Sequence, residues 1–339
     1  RFHQVNLNTN NSGQWFTMPN GDRMWRLKIT ATDAMAIHLT YSDFFLPEGS
    51  IMYIYNEDYS DVIGGYTSAN NKDYREFGTS PVVGETSIIE YYEPANIVGD
   101  VSIQINNIGH CYRWISKASP EAKADPCQVD VACSPESDDW KNQIKGVVRM
   151  LINGPGGAGW CSGSVINNTS LDCTPYVLTA LHCGDNSTAS NFNSSIVYFN
   201  YQRPNCGSGT APTGNSMTGF TRRADSNDGG GNTGPDYLLV EMNNAIPSSY
   251  NVFYNGWSNS ASAATSGVSI HHPSGDEKKI STFSSNLIGS GWGIGGTHWR
   301  VSWVGTPNGH GVTEGGSSGS PLFDPNGRII GQLWRGAAA

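Results

Sequence analysis

Trp25, Leu27 and Ile29 alternate with polar or charged residues, and Met35, Ile37, Leu39 and Tyr41 repeat the same period a few residues later. A period of two is the signature of a strand with one buried face. Further apolar runs at residues 51–55, 87–92 and 101–105 border Pro-Glu-Gly, Val-Gly-Glu and Val-Gly-Asp turns. That spacing predicts a β-sandwich or jelly-roll-like domain over residues 1–110. The acidic turn formed by Asn56, Glu57, Asp58 and Asp61 reads as a solvated hairpin tip or a calcium loop. Residues 111–126 lose the pattern and become polar and proline-flanked, as an exposed linker does. Strands resume at residues 146–152, 161–166, 176–179 and 196–201, separated by long Gly- and Asn-rich loops. One of these, residues 225–234, is so rich in glycine that it is expected to be mobile.

Composition sharpens this picture. At about 150 residues per domain, a chain of 339 residues holds two domains, 1–110 and 127–339. Low charge (14% Asp, Glu, Lys and Arg) and 41 glycines favour strands and turns over long helices, so the expected fold class is all-β. The net charge of −9 without a basic run argues against nucleic acid or an anionic membrane as partner. No apolar stretch approaches the roughly 18 residues of a membrane span. Seven cysteines, none in a CxxC pair, point to disulfides rather than a metal site, and hence to secretion or the cell surface. No metal and no cofactor are expected. The odd count leaves at least one thiol free or paired outside the chain, and the ending Ala337-Ala338-Ala339 directly after an apparent strand reads as a missing C-terminal part.

Three segments of the second half carry chemistry. Tyr176-Val-Leu-Thr-Ala-Leu-His182-Cys183 is a strand ending in a histidine; Pro235-Asp236 stands at the mouth of a buried strand; Gly315-Gly316-Ser317-Ser318-Gly319-Ser320 is a serine among glycines. A serine becomes nucleophilic when a neutral imidazole takes its proton, and a buried carboxylate fixes that imidazole in one tautomer. His182, Asp236 and Ser318 can fill those roles. Glycines around Ser318 allow the N–H groups of Gly316 and Ser318 to converge on the oxyanion of a tetrahedral intermediate. Singly, each segment has a bland reading, as a histidine beside a disulfide, a strand cap and a loop; it is their joint occurrence in this order that points to an activated serine nucleophile.

These segments resemble the chymotrypsin-like serine proteases, and Cys161-Ser-Gly-Ser-Val-Ile166 extends the likeness. More narrowly, the second half resembles bacterial lysyl endopeptidases through Asp125-Pro-Cys127-Gln-Val-Asp-Val-Ala-Cys133, Ile166-Asn-Asn-Thr169, His271-His272-Pro273, Val312-Thr-Glu314 and Ile330-Gly-Gln-Leu333. Gly13-Gln-Trp-Phe16, Phe45-Leu-Pro-Glu-Gly49 and Ile89-Glu-Tyr-Tyr-Glu-Pro94 resemble propeptide-like N-terminal regions of related secreted proteases. The resemblance implies a double β-barrel over residues 127–339, with His182 as general base, Asp236 as its orienting carboxylate, Ser318 as nucleophile, and the Gly316 and Ser318 amides as oxyanion donors. It implies cystines Cys161–Cys183 and Cys133–Cys206, and a partner for Cys127 beyond the end of this chain. Cys111 and Cys173 are left over as a third pair.

On specificity the resemblance implies less. Trypsin's acid precedes the nucleophile by six residues, where this chain has Val312, and the lysine-binding aspartate of lysyl endopeptidases falls beyond residue 339. Those enzymes stack a histidine on a tryptophan beside the site; Trp292 matches that tryptophan, while Trp334 stands where the histidine would be. Both are candidate substrate contacts, with packing as the alternative role for Trp334. The leading reading is a secreted endopeptidase acting on proteins or peptides, with an N-terminal domain that docks on the protease domain until the linker is cut at Lys123. The alternative is an inactive, protease-like surface or adhesive protein whose N-terminal domain binds glycans or proteins.

Overall fold

The computed structural model describes residues 1–97, 99–112, 124–290 and 296–336. Strands dominate it, as an all-β chain requires; the two α-helices among the described residues, α1 (Lys141–Gly146) and α2 (Ala189–Asn193), are short. The chain divides into two compact units, Arg1–Ala122 with Pro155–Ala158, and Lys123–Gly154 with Gly159–Ala339.

The first unit is a sandwich. Its strands are β1 (Phe2–Asn8), β2 (Gln14–Thr17), β3 (Arg23–Thr30), β4 (Ala36–Phe45), β5 (Ile51–Tyr55), β6 (Val62–Tyr66), β7 (Phe77–Val83), β8 (Thr86–Glu93) and β9 (Ser102–Cys111). They form an antiparallel sheet in the order β1-β9-β4-β7 and another in the order β2-β3-β8-β5-β6. The alternation read from the sequence sets the register between β3 and β8: Trp25 lies opposite Tyr91 and Leu27 opposite Ile89, all four buried. Those side chains meet Leu39, Tyr41 and Ile103 of the other sheet in one core, where each fully buried large apolar group stabilises by about 1.5–3 kcal/mol. β4 departs from the one-face expectation. His38 and Thr40, on its polar face, are buried too, because His38 Nδ1 bonds the Thr79 carbonyl oxygen at 2.8 Å and Thr40 Oγ1 donates to Asn106 at 2.8 Å. The acidic turn closes on itself, with Asn56 accepting the Asp61 N–H at 3.0 Å and Asp58 accepting the Ser60 hydroxyl at 2.7 Å.

The second unit holds β10 (Val129–Asp130), β11 (Val147–Gly154), β12 (Gly157–Ile166), β13 (Tyr176–Ala180), β14 (Ile196–Phe199), β15 (Ser216–Thr218), β16 (Phe220–Asp225) and β17 (Tyr237–Met242). They are followed by β18 (Gly267–His271), β19 (Lys279–Phe283), β20 (Ile288–Gly289), β21 (Trp299–Arg300), β22 (Pro321–Phe323) and β23 (Ile329–Gln332). One sheet runs β15-β14-β11-β12-β13-β17-β16 and a second β10-β19-β18-β22-β23. Each has its own core, Val148, Val177, Phe220 and Leu238 under the first, and Val129, Ile270, Ile280 and Phe323 under the second. This is the two-sheet plan of a double barrel.

Disulfides join Cys133 to Cys206 and Cys161 to Cys183, the two pairs the resemblance implies. Cys111, Cys127 and Cys173 are free thiols, so the third pair expected from the leftovers does not form. The reason lies in their settings: the Cys111 thiol donates to the Gly109 carbonyl oxygen at the end of β9, and Cys173 is exposed in a loop.

Candidate active site

Strand pairing brings His182 and Asp236 together. β13 and β17 are antiparallel with Ala180 opposite Tyr237, so the residues just past the end of one strand and just before the start of the other become neighbours. The Leu181 N–H donates to the Asp236 carbonyl oxygen at 2.8 Å and fixes this junction. His182 then turns in a short 3-10 segment, its backbone N–H donating to Asp236 Oδ1 at 2.9 Å and its Nδ1 lying 2.6 Å from Oδ2. Asp236 is fully buried while the His182 side chain is 32% exposed. With the ring proton on Nδ1, facing the carboxylate, Nε2 carries the lone pair a base needs.

Asp236 sits in the left-handed region at φ 57°, a conformation disfavoured by about 1–2 kcal/mol for a residue with a Cβ. Its N–H donates to Asp228 Oδ2 at 2.7 Å, and Asp228 Oδ1 accepts the Gly231 N–H at 2.8 Å. Burial works against the Asp228 charge, but the amide hydrogen bonds outweigh it and hold the carboxyl below its usual range. From the other side Gln332 Nε2 donates to the carbonyl oxygens of Pro235 and Asp236 at 2.9 and 2.8 Å. The glycine-rich loop at residues 225–234 therefore differs from the mobile segment expected of its composition. It is folded around Asp228, and its glycines serve close approach: a Cβ on Gly230 would press on His182, and one on Gly231, at φ 85°, would overlap the Trp334 indole.

Ser318 arrives from the turn before β22. The Ser162 N–H of β12 donates to the Ser318 carbonyl oxygen at 2.8 Å, and Ser162 Oγ donates to that of Gly316 at 2.9 Å. Because Cys161 is bonded to Cys183, the cystine links the residue beside Ser162 to the residue beside His182. His182 and Ser318 line one open cleft with Thr313, Glu314, Trp334 and Arg335. Among the described residues Ser318 Oγ has no hydrogen-bond partner, so the histidine and the serine share the cleft without a bond between them. Neither the Gly316 nor the Ser318 N–H has a protein acceptor among the described residues, leaving two donors, one on each side of Ser317, unspent. Gly316 at φ 92° makes the turn that leaves them so.

The other two candidates fare differently. Trp334 donates its indole N–H to the Gly230 carbonyl oxygen at 2.9 Å and packs at a tilt against His298 with ring centroids 4.6 Å apart, so it is a packed part of the cleft wall. Trp292 lies outside the described residues.

This geometry covers the stretch that a family model described as "Lysyl endopeptidase, C-terminal domain" matches, residues 122–339. The chain belongs to the lysyl endopeptidase family. A lysyl endopeptidase of Pseudomonas aeruginosa is 28% identical over 331 residues, which cover 91% of this chain and 67% of that protein. Among solved structures, the protease Anisep from Arthrobacter nicotinovorans is 20% identical, with a TM-score of 0.39, over 57% of this chain and 83% of its own. The HtrA-type protease AlgW with tripeptide is 14% identical, with a TM-score of 0.39, over 58% of this chain and 53% of its own. This lysyl endopeptidase family member thus spans about half the length of AlgW. Homology to serine proteases supports serine endopeptidase chemistry. No helix among the described residues is long and apolar enough to cross a membrane.

Several residues at the site carry no role in the sequence reading. Glu314, within the Val-Thr-Glu motif, accepts the Asp125 N–H at 3.0 Å and Gln128 Nε2 at 2.6 Å, and its other oxygen accepts the Ser274 hydroxyl at 3.0 Å. His271, first residue of the His-His-Pro motif, is fully buried behind Ser317. Motif membership marked both; their partners lie far away in sequence and only the fold shows them.

Proposed function

We propose that this protein is a secreted serine endopeptidase that cleaves proteins or peptides after lysine and is made as a precursor. In this reading Ser318 attacks the scissile carbonyl, and His182 takes the serine proton and returns it to the leaving amine. Asp236 keeps the imidazole in the Nδ1–H tautomer and stabilises the imidazolium, while the Gly316 and Ser318 amides receive the oxyanion. The observation that carries it is the buried Asp236 carboxylate 2.6 Å from His182 Nδ1, in a cleft that also holds Ser318. Lysine preference draws on family membership alone, because the cleft wall has both a carboxylate, Glu314, and a guanidinium, Arg335.

A fluorophosphonate probe tests the reading, since it labels only an activated serine. The chain should be labelled at Ser318, and Ser318→Ala should lose labelling and about six decades of turnover. Asp236→Asn should lose about four decades through the wrong tautomer. A chain that stays unlabelled even after cleavage in the linker would favour the inactive, protease-like reading instead. Peptides differing only in the residue before the scissile bond test the lysine preference.

A further inference from the structure

Beneath Ser318 runs a buried polar chain that neither the triad nor the oxyanion donors include. On one face of the β18–β19 pair, Ser269 lies opposite Ser281 and His271 is two residues further along. The His271 and Ser281 side chains turn toward the segment that leads into the nucleophile, and Ser269 toward Ser320 and Pro321 just after it. His271 Nδ1 is 2.8 Å from Ser317 Oγ, and its Nε2 is 2.9 Å from Ser281 Oγ. Ser317 Oγ accepts the Glu314 N–H at 3.2 Å, and Ser281 Oγ donates to the Val312 carbonyl oxygen at 3.4 Å. His271, Ser281 and Ser317 are each fully buried.

One proton arrangement satisfies every contact: the Ser281 hydroxyl donates to Val312, its oxygen accepts from His271, and Nε2 carries the ring hydrogen. Nδ1 is then the acceptor, and Ser317 donates to it while receiving the Glu314 amide. A single neutral imidazole thereby closes a loop of hydrogen bonds whose two ends, the Val312 carbonyl and the Glu314 amide, both belong to the segment 312–317. Burial, together with the nearby Lys279 charge, presses the His271 imidazole down to about 3, which keeps it in the neutral form this arrangement needs.

We propose that His271, acting through Ser317 and Ser281, is a positioning residue that holds the Gly316 and Ser318 amides in their oxyanion-binding geometry. The inference rests on the reading of Ser318 as the nucleophile. Its physical basis is that electrostatic stabilisation of an oxyanion depends on donors fixed in advance, so a loop free to sag loses transition-state binding more than substrate binding. Ser317 fits the role because it is the residue between the two donors. A rotation of its backbone moves both.

The experiment uses the full chain and the near-isosteric variants Ser317→Ala and Ser281→Ala. Each should lower kcat on a peptide ester by about 10- to 100-fold, against the roughly 100- to 1,000-fold seen when an oxyanion donor is removed outright, with KM within about threefold. Inhibition by a peptide boronate, which occupies the oxyanion site, should weaken in step with kcat/KM. The triple variant His271→Leu, Ser281→Ala, Ser317→Ala removes every partner together and so leaves few unpaired buried groups. It should regain thermal stability over His271→Leu alone without regaining kcat. Recovery of kcat along with stability, or single variants within twofold of the parent, would overturn the proposal while the parent still hydrolyses and is labelled. A parent that is not labelled at Ser318 would instead remove the endopeptidase reading, and this inference with it.

Discussion

The Asp228 carboxylate accepts the backbone N–H of Asp236 at 2.7 Å, so the residue that orients His182 is itself oriented by a second buried acid. Asp236 needs this support because its left-handed backbone is intrinsically disfavoured. The loop that delivers Asp228 is folded around it through the Gly231 amide and the Thr233 hydroxyl.

Asp228→Ala is therefore expected to lower kcat/KM about 10- to 100-fold through misplacement of Asp236 rather than loss of a reacting group. Asp228→Asn, which retains an oxygen for one of the two amides, should fall between that variant and the parent. Steady-state kinetics on an ester substrate, with phosphonate labelling to count active sites, measures both. A parent-like kcat/KM in Asp228→Ala would show that Asp236 holds its place unaided.

Gly231 gives a second test of the same loop. Its φ of 85° and its closeness to the Trp334 indole mean that Gly231→Ala has to move either the loop or the tryptophan. Trp334 lies in the cleft wall, with a hydrogen bond to Gly230, a tilted ring contact with His298 and the Arg335 guanidinium over its ring among its contacts, whereas the loop is tied to Asp228 through the Gly231 N–H, so the tryptophan is the side expected to shift. The expected result is a KM raised several-fold with a smaller change in kcat, because the cleft wall shifts while His182 keeps its bonds to Asp236. A loss confined to kcat would mean that the His182 side of the loop moves instead.

These two variants touch features that differ in how far the sequence revealed them. Alternation in β3 announced the sandwich core, and Trp25 and Leu27 lie opposite Tyr91 and Ile89 of β8. The approach of His182 and Asp236 depends on the register that sets Ala180 opposite Tyr237, a relation between strands distant in sequence, and only the joint occurrence of the segments hinted at it. The loop at 225–234 was misleading for a physical reason: glycine marks close approach as readily as it marks freedom, and the two look alike in one dimension. His271 was hidden in another way. Its role is made by Ser317, beside the candidate nucleophile, and by Ser281, which lies in a distant segment and carries no pattern of its own.

Acid should destabilise the second unit through its buried histidines. His271 titrates near 3 when folded and near 6.5 in an unfolded chain, and burial moves His272 down in the same direction. Between those values the unfolded chain binds the extra proton, so stability is complete above about pH 6.5 and drains away as the pH falls toward 3. The His271 contribution amounts to roughly 5 kcal/mol over that whole range. Lys278, pushed by burial down to about 7, acts with the same sign at higher pH: stability rises further as the pH is raised from 7 to 10.5. Urea unfolding of the Ser318→Ala variant, which cannot digest itself, should show a midpoint that drops steadily from pH 7 to pH 4. A flat profile over that range would refute the assignment.

On the proposed reading of the chain as a precursor, a cut in the linker is what activates it. Lys117 and Lys123 lie in the polar stretch before Cys127, outside the described residues, and an enzyme that cuts after lysine has a processing site there. Release of the residues before that cut would activate the chain if they cover the cleft or if the oxyanion loop forms only afterwards. The second route conflicts with the bonding of His271, Ser317 and Ser281, which ties the 312–317 segment through side chains of the same unit and uses no chain terminus. The double variant Lys117→Gln, Lys123→Gln should therefore remain uncut and fail to digest a folded protein substrate, yet react with a small fluorophosphonate at a rate close to that of the processed enzyme. N-terminal sequencing after incubation shows whether the parent is cut after Lys123, and the two assays on the uncut variant separate the mechanisms. Slow labelling would mean that the nucleophile loop matures on cleavage. Full digestion of protein by the uncut chain would mean that residues 1–123 form an accessory domain and that no zymogen exists.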